Sequence, residues 1–428
     1  MKKRKQKHGQ QQSQKISIAQ HKNEFFRKLE NMCKTLNVHH IFKLIPRKLL
    51  DHLYERRVQT VRVVASPDCD IPASVMNNFK IIISEILKWQ MVPVNKEKSI
   101  NINLNDYLST FSSVILILLA FEKDDYDIRI VNTIKEALKD YNDFFLKDHT
   151  AINAIAAIIK MVSTYESDIS HKMYWTSFEL LTFYKNRSGN FRFLTVHSIV
   201  PEKKYFTING YSRQAMRVGW SETYPEYHFG YVNLTAEQLN LKTSFNKLQL
   251  AVYIQSHALQ RLSERLDGIP EGSLHFHLYV SLKHFTQVNR DKNGNLLFSM
   301  IVFDQKVGYL LADIIESDLV IRTFLFLTNS GTPEGDRLLE LTGLAIEDTK
   351  YLEINKLSTF LESDIESNER VKNIFIKAGC ESLFKLDRDI LEKESEFFRK
   401  PKAEFILDYL GMNSKDEDIM EHEEESEG

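Results

Sequence analysis

The spacing of apolar residues changes character near the middle of the chain, and this change predicts two domains of different class. From about residue 21 to residue 163, apolar side chains recur at steps of three and four, as in Phe25, Phe26, Leu29, Met32 and Leu36. That period places them on one face of α-helices, so the pattern predicts an all-helical domain over residues 21–165. Pro72 and Pro93 mark a helix start and a helix stop within it.

Beyond Trp175 the apolar, β-branched and aromatic residues alternate or cluster as in strands. The predicted strands are Phe191–Ile199, Lys204–Ile208, Leu274–Leu282, Phe285–Val288, Leu296–Phe303, Gly308–Ile315 and Leu319–Thr328. Asn209–Gly210 and Asn293–Gly294 are turn signals, the first followed by a helix-capable stretch to Val218. A single helix over Leu248–Leu266 stands between the strands. The pattern therefore predicts an α+β domain over residues 170–344, with one helix packed on an antiparallel sheet.

The remaining segments are predicted from period and charge. Residues 345–412 return to helical spacing and predict a helical C-terminal extension. Lys2, Lys3, Arg4, Lys5 and Lys7 open the chain, and eight acidic residues lie between Asp416 and Glu427. Such single-sign runs are typical of disordered tails, so we expect a basic tail over residues 1–20 and an acidic tail over residues 413–428. The net charge of −2 indicates no general attraction to nucleic acid, although the basic tail adds weak, salt-sensitive affinity for phosphate.

Cysteine usage and hydropathy limit the class of protein further. Cys33, Cys69 and Cys380 are widely separated, which argues against a disulfide framework or a zinc knuckle and favours a reducing, cytoplasmic location. The most apolar run, Val114–Phe121, is too short to span a bilayer, so no membrane association is expected. The sequence also lacks a phosphate-binding glycine loop, a nucleophile elbow and a dinucleotide fingerprint. We therefore expect no cofactor and no ATP-driven, serine-hydrolase or NAD-dependent activity.

One stretch combines residue types and spacing that suggest chemistry. From Gln255 to Arg265 the chain reads Gln-Ser-His-Ala-Leu-Gln-Arg-Leu-Ser-Glu-Arg. On a helix at about 100° per residue, one polar third of the circumference holds His257, Arg261, Glu264 and Arg265. The opposite side is apolar and holds Ala258, Leu259, Leu262 and Leu266. An imidazole beside two guanidiniums suits phosphodiester cleavage, which needs a proton carrier and fixed positive charge. The alternative is an ordinary amphipathic helix in which Arg261 pairs with Glu264.

This helix and a later strand carry a resemblance to a known group of domains. Ser256-His257-Ala258, Arg261 and Glu264-Arg265, followed by Ile321-Arg322-Thr323-Phe324, resemble the motif of an uncharacterised toxin-like domain family. The likeness covers residues 251–332. The family is grouped with the endoribonuclease fold of barnase, colicin-type nucleases and bacterial mRNA-cutting toxins, which pack a helix on an antiparallel sheet and cut RNA without a metal. In the family, Gly and Ile directly follow the second arginine, whereas Leu266-Asp267 intervene here before Gly268-Ile269.

The resemblance implies roles for particular residues. His257 would carry the proton, since an ordinary imidazole titrates near neutral pH. Arg261 and Arg265 would clamp the phosphate, and Thr323 or Tyr309 would supply a hydroxyl near the scissile group. No metal takes part in such a reaction. Domains of this shape are also reused for binding without catalysis, so a non-catalytic form of the domain stays open.

Two further groups are candidates for substrate binding. His275 and His277 lie at two-residue spacing in the predicted strand Leu274–Leu282, where they would share one face and line the substrate groove. A metal at these histidines would need a nearby carboxylate or His284, and the spacing favours neither, so no metal is expected. Arg213 and Arg217 stand in an aromatic-rich segment over residues 203–231. Aromatic rings can stack unpaired bases while guanidiniums hold the backbone, although core packing of a β-hairpin explains these aromatics equally well.

The sequence thus predicts a cytoplasmic protein that interacts with RNA at the His257 helix, with metal-independent endoribonuclease activity as one form of that interaction. The alternative is a non-catalytic protein–protein interaction or structural protein built on the same fold. The expected partners are RNA and, through the helical domain, another protein.

Overall fold

The computed structural model describes residues 18–57, 61–97, 99–121, 126–147, 150–179, 193–208, 210–222, 228–241 and 249–389. The acidic tail predicted over residues 413–428 and most of the predicted basic tail lie outside the described residues. The chain divides into two compact units, Met1–Val162 with Thr176–His197 and Ser163–Trp175 with Ser198–Gly428. The division falls a few residues before the predicted change of class, and residues 176–197 return to the first unit. The predicted α+β class is confirmed.

Helices dominate the first unit. They are α1 (Ile18–Thr35), α2 (His39–Phe42), α3 (Arg47–Arg56), α4 (Ala73–Trp89), α5 (Leu104–Asp106), α6 (Ser112–Ala120), α7 (Ile128–Lys147) and α8 (Thr150–Glu166), with a π-helical turn at Tyr107–Phe111. The apolar face predicted for α1 is buried at Phe26, Leu29 and Met32. In the part of the chain that the structure describes, none of the helices combines the length and the apolar character that crossing a bilayer requires.

The expectation that the N-terminal domain is entirely helical is wrong, because three short strands lie within it. They are β1 (Arg62–Ala65), β2 (Met91–Pro93) and β3 (Asn101–Asn103). β2 and β3 form an antiparallel hairpin, and β1 joins a three-stranded sheet with β4 (Met173–Glu179) and β5 (Phe193–Ile199) in the order β1-β5-β4. β1 pairs with β5 in parallel, with Arg62 opposite Phe193. Strands of three or four residues are too short to show a period of two, and the partner of β1 lies far away in sequence.

The second unit is built on an eight-stranded sheet. Its strands are β6 (Lys203–Ile208), β7 (Tyr211–Arg217), β10 (Asn233–Thr235), β11 (Gln249–Gln255), β12 (Val288–Arg290), β13 (Leu296–Val302), β14 (Gln305–Ile315) and β15 (Asp318–Phe326), while β8 (Gly219–Glu222) and β9 (His228–Tyr231) form a separate hairpin. The order is β12-β13-β14-β15-β11-β7-β6, and β10 also pairs with β11. β15 and β11 are parallel, and the other pairs are antiparallel.

The stretch after Gly210 is a strand and not the helix-capable segment that the sequence suggested. Gly210 adopts φ +80°, as the predicted Asn-Gly turn requires, and the chain folds directly back as β7 onto β6. Opposite residues of this hairpin include Phe206 with Arg213 and Tyr205 with Gln214. Once a tight turn is formed, cross-strand pairing satisfies the backbone of both arms and outweighs weak helical propensity.

The single helix predicted over Leu248–Leu266 is wrong in its first half, because Gln249–Gln255 forms β11. Two consecutive helices, α9 (Ser256–Arg265) and α10 (Glu271–Lys283), link β11 to β12. The strand predicted over Leu274–Leu282 is therefore wrong, because these residues belong to α10. Leu274, Leu278 and Leu282 are buried, and so are polar residues of the same helix such as Ser273 and Ser281. A helix buried on nearly all sides has no polar stripe, so its sequence can be fitted to a period of two. Pro270 at the N-cap and Glu271 in the first turn were the available helix signals.

The predicted helical extension is confirmed as far as the described residues reach. It contains α12 (Ile346–Tyr351), α13 (Leu357–Glu362), α14 (Glu369–Ala378) and a 3₁₀ turn at Glu381–Phe384, and α11 (Pro333–Thr342) precedes it within the range predicted for the α+β domain. Phe360, Phe375 and Leu383 from these elements belong to the same buried cluster as the sheet residues of the second unit. The extension therefore shares the core of the α+β unit.

Candidate functional site

Helix α9 presents one polar and one apolar side, as its spacing predicts. Ala258, Leu259 and Leu262 are buried, and the helix lies on β15, β11 and β7. His257 and Gln260 are exposed on the outer side. The burial of three apolar side chains fixes how the helix is rotated about its axis, so the polar face is held towards solvent.

Arg261 forms an exposed ion pair on this polar face. Its Nη1 atom lies 2.8 Å from Glu264 Oε2, and both side chains are 43% exposed. Glu264 also accepts a hydrogen bond of 2.8 Å from Gln260 Nε2. An exposed pair of this kind contributes about 0–1 kcal/mol, so a phosphate can replace the carboxylate at little cost. Arg261 is thus held in position and still accessible to an anion.

Arg265 is held by the fold. Its Nη1 atom donates a hydrogen bond to the carbonyl oxygen of Phe324 in β15, and the side chain is half-buried. Burial lowers the pKa of Arg265 to about 10, with the nearby charge of Arg261 as a smaller cause. The group therefore stays protonated at neutral pH, but it fastens α9 to the sheet. The phosphate clamp predicted for Arg265 would have to use the remaining N–H groups of this half-buried guanidinium.

Thr323 lies in β15, next to the residue that accepts the Arg265 hydrogen bond, whereas His257 lies in the first turn of α9. Thr323 is half-buried and lies opposite Leu311 of β14. His257 is eight residues before Arg265, which corresponds to about 12 Å along a helix axis. Among the residues that the structure describes, no hydrogen bond joins Thr323 to His257. Tyr309, the other hydroxyl considered, is buried and bonds to Glu334 and Lys306.

His275 and His277 do not line a groove, because both are buried in α10, with 3% and 9% of their surfaces exposed. The ring of His277 packs edge-on against Phe303 at 4.6 Å. His275 faces Asp168 and the backbone of Ile169. The predicted substrate-contacting role depended on a strand with an exposed face, and the buried helix removes that basis.

Arg213 and Arg217, the two arginines of the β6–β7 hairpin, have different surroundings. Arg213 is exposed on β7. Arg217 lies between the rings of Tyr231 and Tyr253, at 5.4 and 5.2 Å from their centroids, and its Nη2 donates to Asn233 Oδ1 at 2.5 Å. Arg217 is therefore part of the packing of the sheet, whereas Arg213 is available to a ligand.

The structure brings the β6–β7 hairpin to the first turn of α9, a neighbourhood that the sequence did not predict. Ser256 Oγ contacts Met216 Sδ at 3.8 Å, and Met216 lies opposite Lys203 in the hairpin. The next pair on the same face is Tyr205 with Gln214, joined by a hydrogen bond of 2.9 Å from Gln214 Nε2 to the Tyr205 hydroxyl. Tyr205 is 64% exposed.

We call the set of Lys203, Tyr205, Ser256, His257 and Arg261 the α9–hairpin surface. All five residues are on the side of the sheet that α9 covers, and Arg261 is the least exposed of them. The surface combines two permanent cations, an imidazole and an aromatic ring.

A second group of polar side chains includes one of the predicted residues. Asp168, Glu271 and His275 each bring a ligand atom within 4.8 Å of the others, which is the arrangement of a candidate metal site. The sequence predicted no metal site, and spacing could not reveal this group because Asp168 lies about 100 residues before Glu271.

Comparisons of the chain with protein-family models, with curated proteins and with solved structures find no match.

Proposed function

We propose that the second unit binds single-stranded RNA through the α9–hairpin surface. The observation that carries the proposal is the contact of Ser256 with Met216, because it places the exposed Tyr205 and Lys203 beside the helix turn that bears His257. Proteins that bind single strands combine cations that follow the backbone with aromatic rings on which bases stack. Tyr205 supplies the ring, while Lys203 and Arg261 supply the charge.

The geometry supports binding better than cleavage. Metal-independent cleavage of RNA needs one group to accept a proton, another to donate one, and fixed positive charge at the phosphate. His257 is available for proton transfer, but Arg265 donates to the Phe324 carbonyl at the other end of α9, and no hydrogen bond in the described residues joins Thr323 to His257. The function that these positions favour is therefore RNA binding without metal-independent cutting.

Replacing Tyr205 by alanine is expected to weaken binding of the full-length protein to single-stranded RNA about tenfold. A stacked base contributes about 1–3 kcal/mol, and tenfold corresponds to about 1.4 kcal/mol. The measurement is fluorescence anisotropy with a labelled, unstructured RNA of mixed sequence. Tyr211→Ala is the matched control, because Tyr211 is 70% exposed in the same hairpin but lies on the opposite face of the sheet. Equal losses in both variants, or none in either, would contradict the assignment.

Wild-type protein is expected to leave the same RNA intact in the presence of EDTA. The measurement is gel analysis of the RNA after prolonged incubation, beside a His257→Ala variant. Because the His257 side chain is exposed and makes no hydrogen bond in the described structure, this substitution should leave the fold unchanged. Cleavage by the wild type that disappears in His257→Ala would show instead that the domain is a nuclease centred on that histidine.

A protein–protein interaction is the second candidate function. The Arg261–Glu264 ion pair favours it, because the same guanidinium that could meet a phosphate already pairs with a carboxylate. If the wild-type protein binds no RNA at low salt, where electrostatic binding is strongest, this alternative takes precedence.

A further inference from the structure

Two carboxylates and a buried imidazole converge in the second unit, and none of them belongs to the α9–hairpin surface. The ligand atoms of Asp168, Glu271 and His275 all lie within 4.8 Å of one another. We propose that these three residues bind a first-row divalent metal ion of the Zn²⁺ type. The proposal does not depend on RNA binding.

His275 is the fixed side of the cluster. It is 3% exposed, and its Nδ1 atom lies 4.0 Å from Asp168 Oδ1. The Ile169 amide donates a long hydrogen bond of 3.3 Å to the same nitrogen, and a metal would displace this weak contact. The Ile169 amide donates to Nδ1, so this nitrogen carries no proton and has a lone pair to offer. Neutral imidazole is the form that ligates metals.

Asp168 is held in a closed loop. Ser167 Oγ donates to the Tyr174 carbonyl at 3.0 Å and accepts from the Tyr174 amide at 2.9 Å, so one hydroxyl joins the two ends. The Asp168 carboxylate accepts hydrogen bonds from the amide and the hydroxyl of Ser170, at 2.7 and 2.6 Å. His171 Nδ1 lies 3.4 Å from Asp168 Oδ2. These hydrogen bonds orient the carboxylate before any ion binds, as hydrogen bonds to ligating carboxylates do in metal sites.

A glycine sets the distance between this loop and α10. A Cβ atom at Gly272 would lie 1.9 Å from the carbonyl oxygen of Thr164. The first turn of α10 therefore approaches the chain just before Asp168 more closely than any other residue would allow. This approach brings Glu271, in that first turn, towards Asp168.

The charges in the cluster favour a cation. Asp168 and Glu271 bring carboxylate oxygens within 4.8 Å of each other, so two like charges face each other in the cluster. Among the described residues, neither carboxylate forms an ion pair with a lysine or an arginine; the ion-pair partners of Asp168 are His171 and His275. A bound cation would balance the two negative charges.

The donor set indicates the class of ion. One imidazole nitrogen with two carboxylate oxygens suits Zn²⁺ and related first-row ions, whereas Mg²⁺ and Ca²⁺ prefer oxygen alone. Ligand atoms of a tetrahedral Zn²⁺ are roughly 3.3 Å apart, so the cluster must contract. Glu271 is exposed and can rotate towards the two fixed groups. Three protein ligands leave a coordination position for water or for the exposed His171.

Zn²⁺ binding to full-length protein tests the proposal. Protein stripped with EDTA and exchanged into chelator-free buffer is titrated with Zn²⁺ by calorimetry, and the bound metal is counted by mass spectrometry. We expect one ion per chain, not displaced by excess Mg²⁺. Glu271→Gln and Asp168→Asn should each weaken the affinity at least about tenfold. Glu369→Gln is the matched control, because Glu369 is an exposed glutamate in the first turn of α14.

The metal-free variants provide a check on folding. The Glu271 side chain forms no hydrogen bond in the described structure, and neutralising it removes a like-charge contact with Asp168. Glu271→Gln should therefore unfold at a temperature equal to or slightly above that of the metal-free wild type, and only the wild type and Glu369→Gln should be stabilised by added Zn²⁺. No stoichiometric uptake by the wild type, uptake that survives both substitutions, or displacement by Mg²⁺ would overturn the proposal.

Discussion

Replacing Gly272 by alanine is expected to lower the free energy of unfolding by about 2 kcal/mol, measured by urea denaturation of the full-length protein. Two effects oppose each other at this position. Alanine is the better helix former by at most about 1 kcal/mol. The added Cβ, however, would stand 1.9 Å from the Thr164 carbonyl oxygen and 3.0 Å from its carbon, and these are backbone atoms that cannot rotate away. The clash therefore outweighs the gain in helix propensity, and the substitution lowers the free energy of unfolding.

Gly268→Ala is the control for this substitution. A Cβ at Gly268 would meet the Leu361 Cδ1 atom at 3.3 Å, which is the end of a flexible side chain. We expect a change within about 0.5 kcal/mol for this variant. If Gly272→Ala were as mild as Gly268→Ala, the close approach between α10 and the Asp168 loop would be incorrect. The metal site inferred from that approach would then lose its main geometric support.

Replacing Arg265 by alanine is expected to lower the free energy of unfolding by about 2 kcal/mol. The substitution removes the charge-assisted hydrogen bond to the Phe324 carbonyl and the contacts of a half-buried side chain. Relief of a desolvated charge offsets part of this loss, since burial lowers the pKa of Arg265 to about 10. The lost bond and the lost packing together exceed that gain. The measurement is again denaturant unfolding.

Comparing Arg261→Ala with Arg265→Ala distinguishes an arginine that binds the ligand, Arg261, from one that stabilises the fold, Arg265. The exposed ion pair of Arg261 with Glu264 contributes about 0–1 kcal/mol, so Arg261→Ala should unfold nearly as the wild type does. It should instead weaken RNA binding, whereas folded Arg265→Ala should retain most of it. If Arg265→Ala kept the stability of the wild type but lost its affinity for RNA, Arg265 would act as the phosphate clamp that the sequence suggested.

The elements that the sequence predicts well are those with a clear contrast between two faces. In α9, Ala258 and Leu262 are buried and His257 is exposed, as the spacing requires. The β13–β14–β15 strands are likewise confirmed, because their apolar runs are separated by turn residues. Where burial removes the contrast between the two faces, as in α10, the same analysis of hydrophobic period predicts a strand although the structure has a helix. Short strands such as β1 give no period at all.

The candidate sites depend on contacts between distant residues, which period and spacing do not report. Nothing in the sequence places Tyr205 beside the helix that begins at Ser256, because the connection passes through Met216 of the returning hairpin strand. The same is true of Asp168 and His275. The role of Arg265 was also hidden, since a guanidinium at a helix end serves a phosphate and a backbone carbonyl equally well.

The most direct test of the central claim is to map where RNA touches the protein. Full-length protein is cross-linked by ultraviolet light to single-stranded RNA and digested, and the modified peptides are identified by mass spectrometry. The proposal predicts cross-links in β6 around Tyr205 and in the first turns of α9 around His257. Cross-links confined to the basic segment at Lys2–Lys7, or to surfaces outside the second unit, would show that the α9–hairpin surface is not where RNA binds.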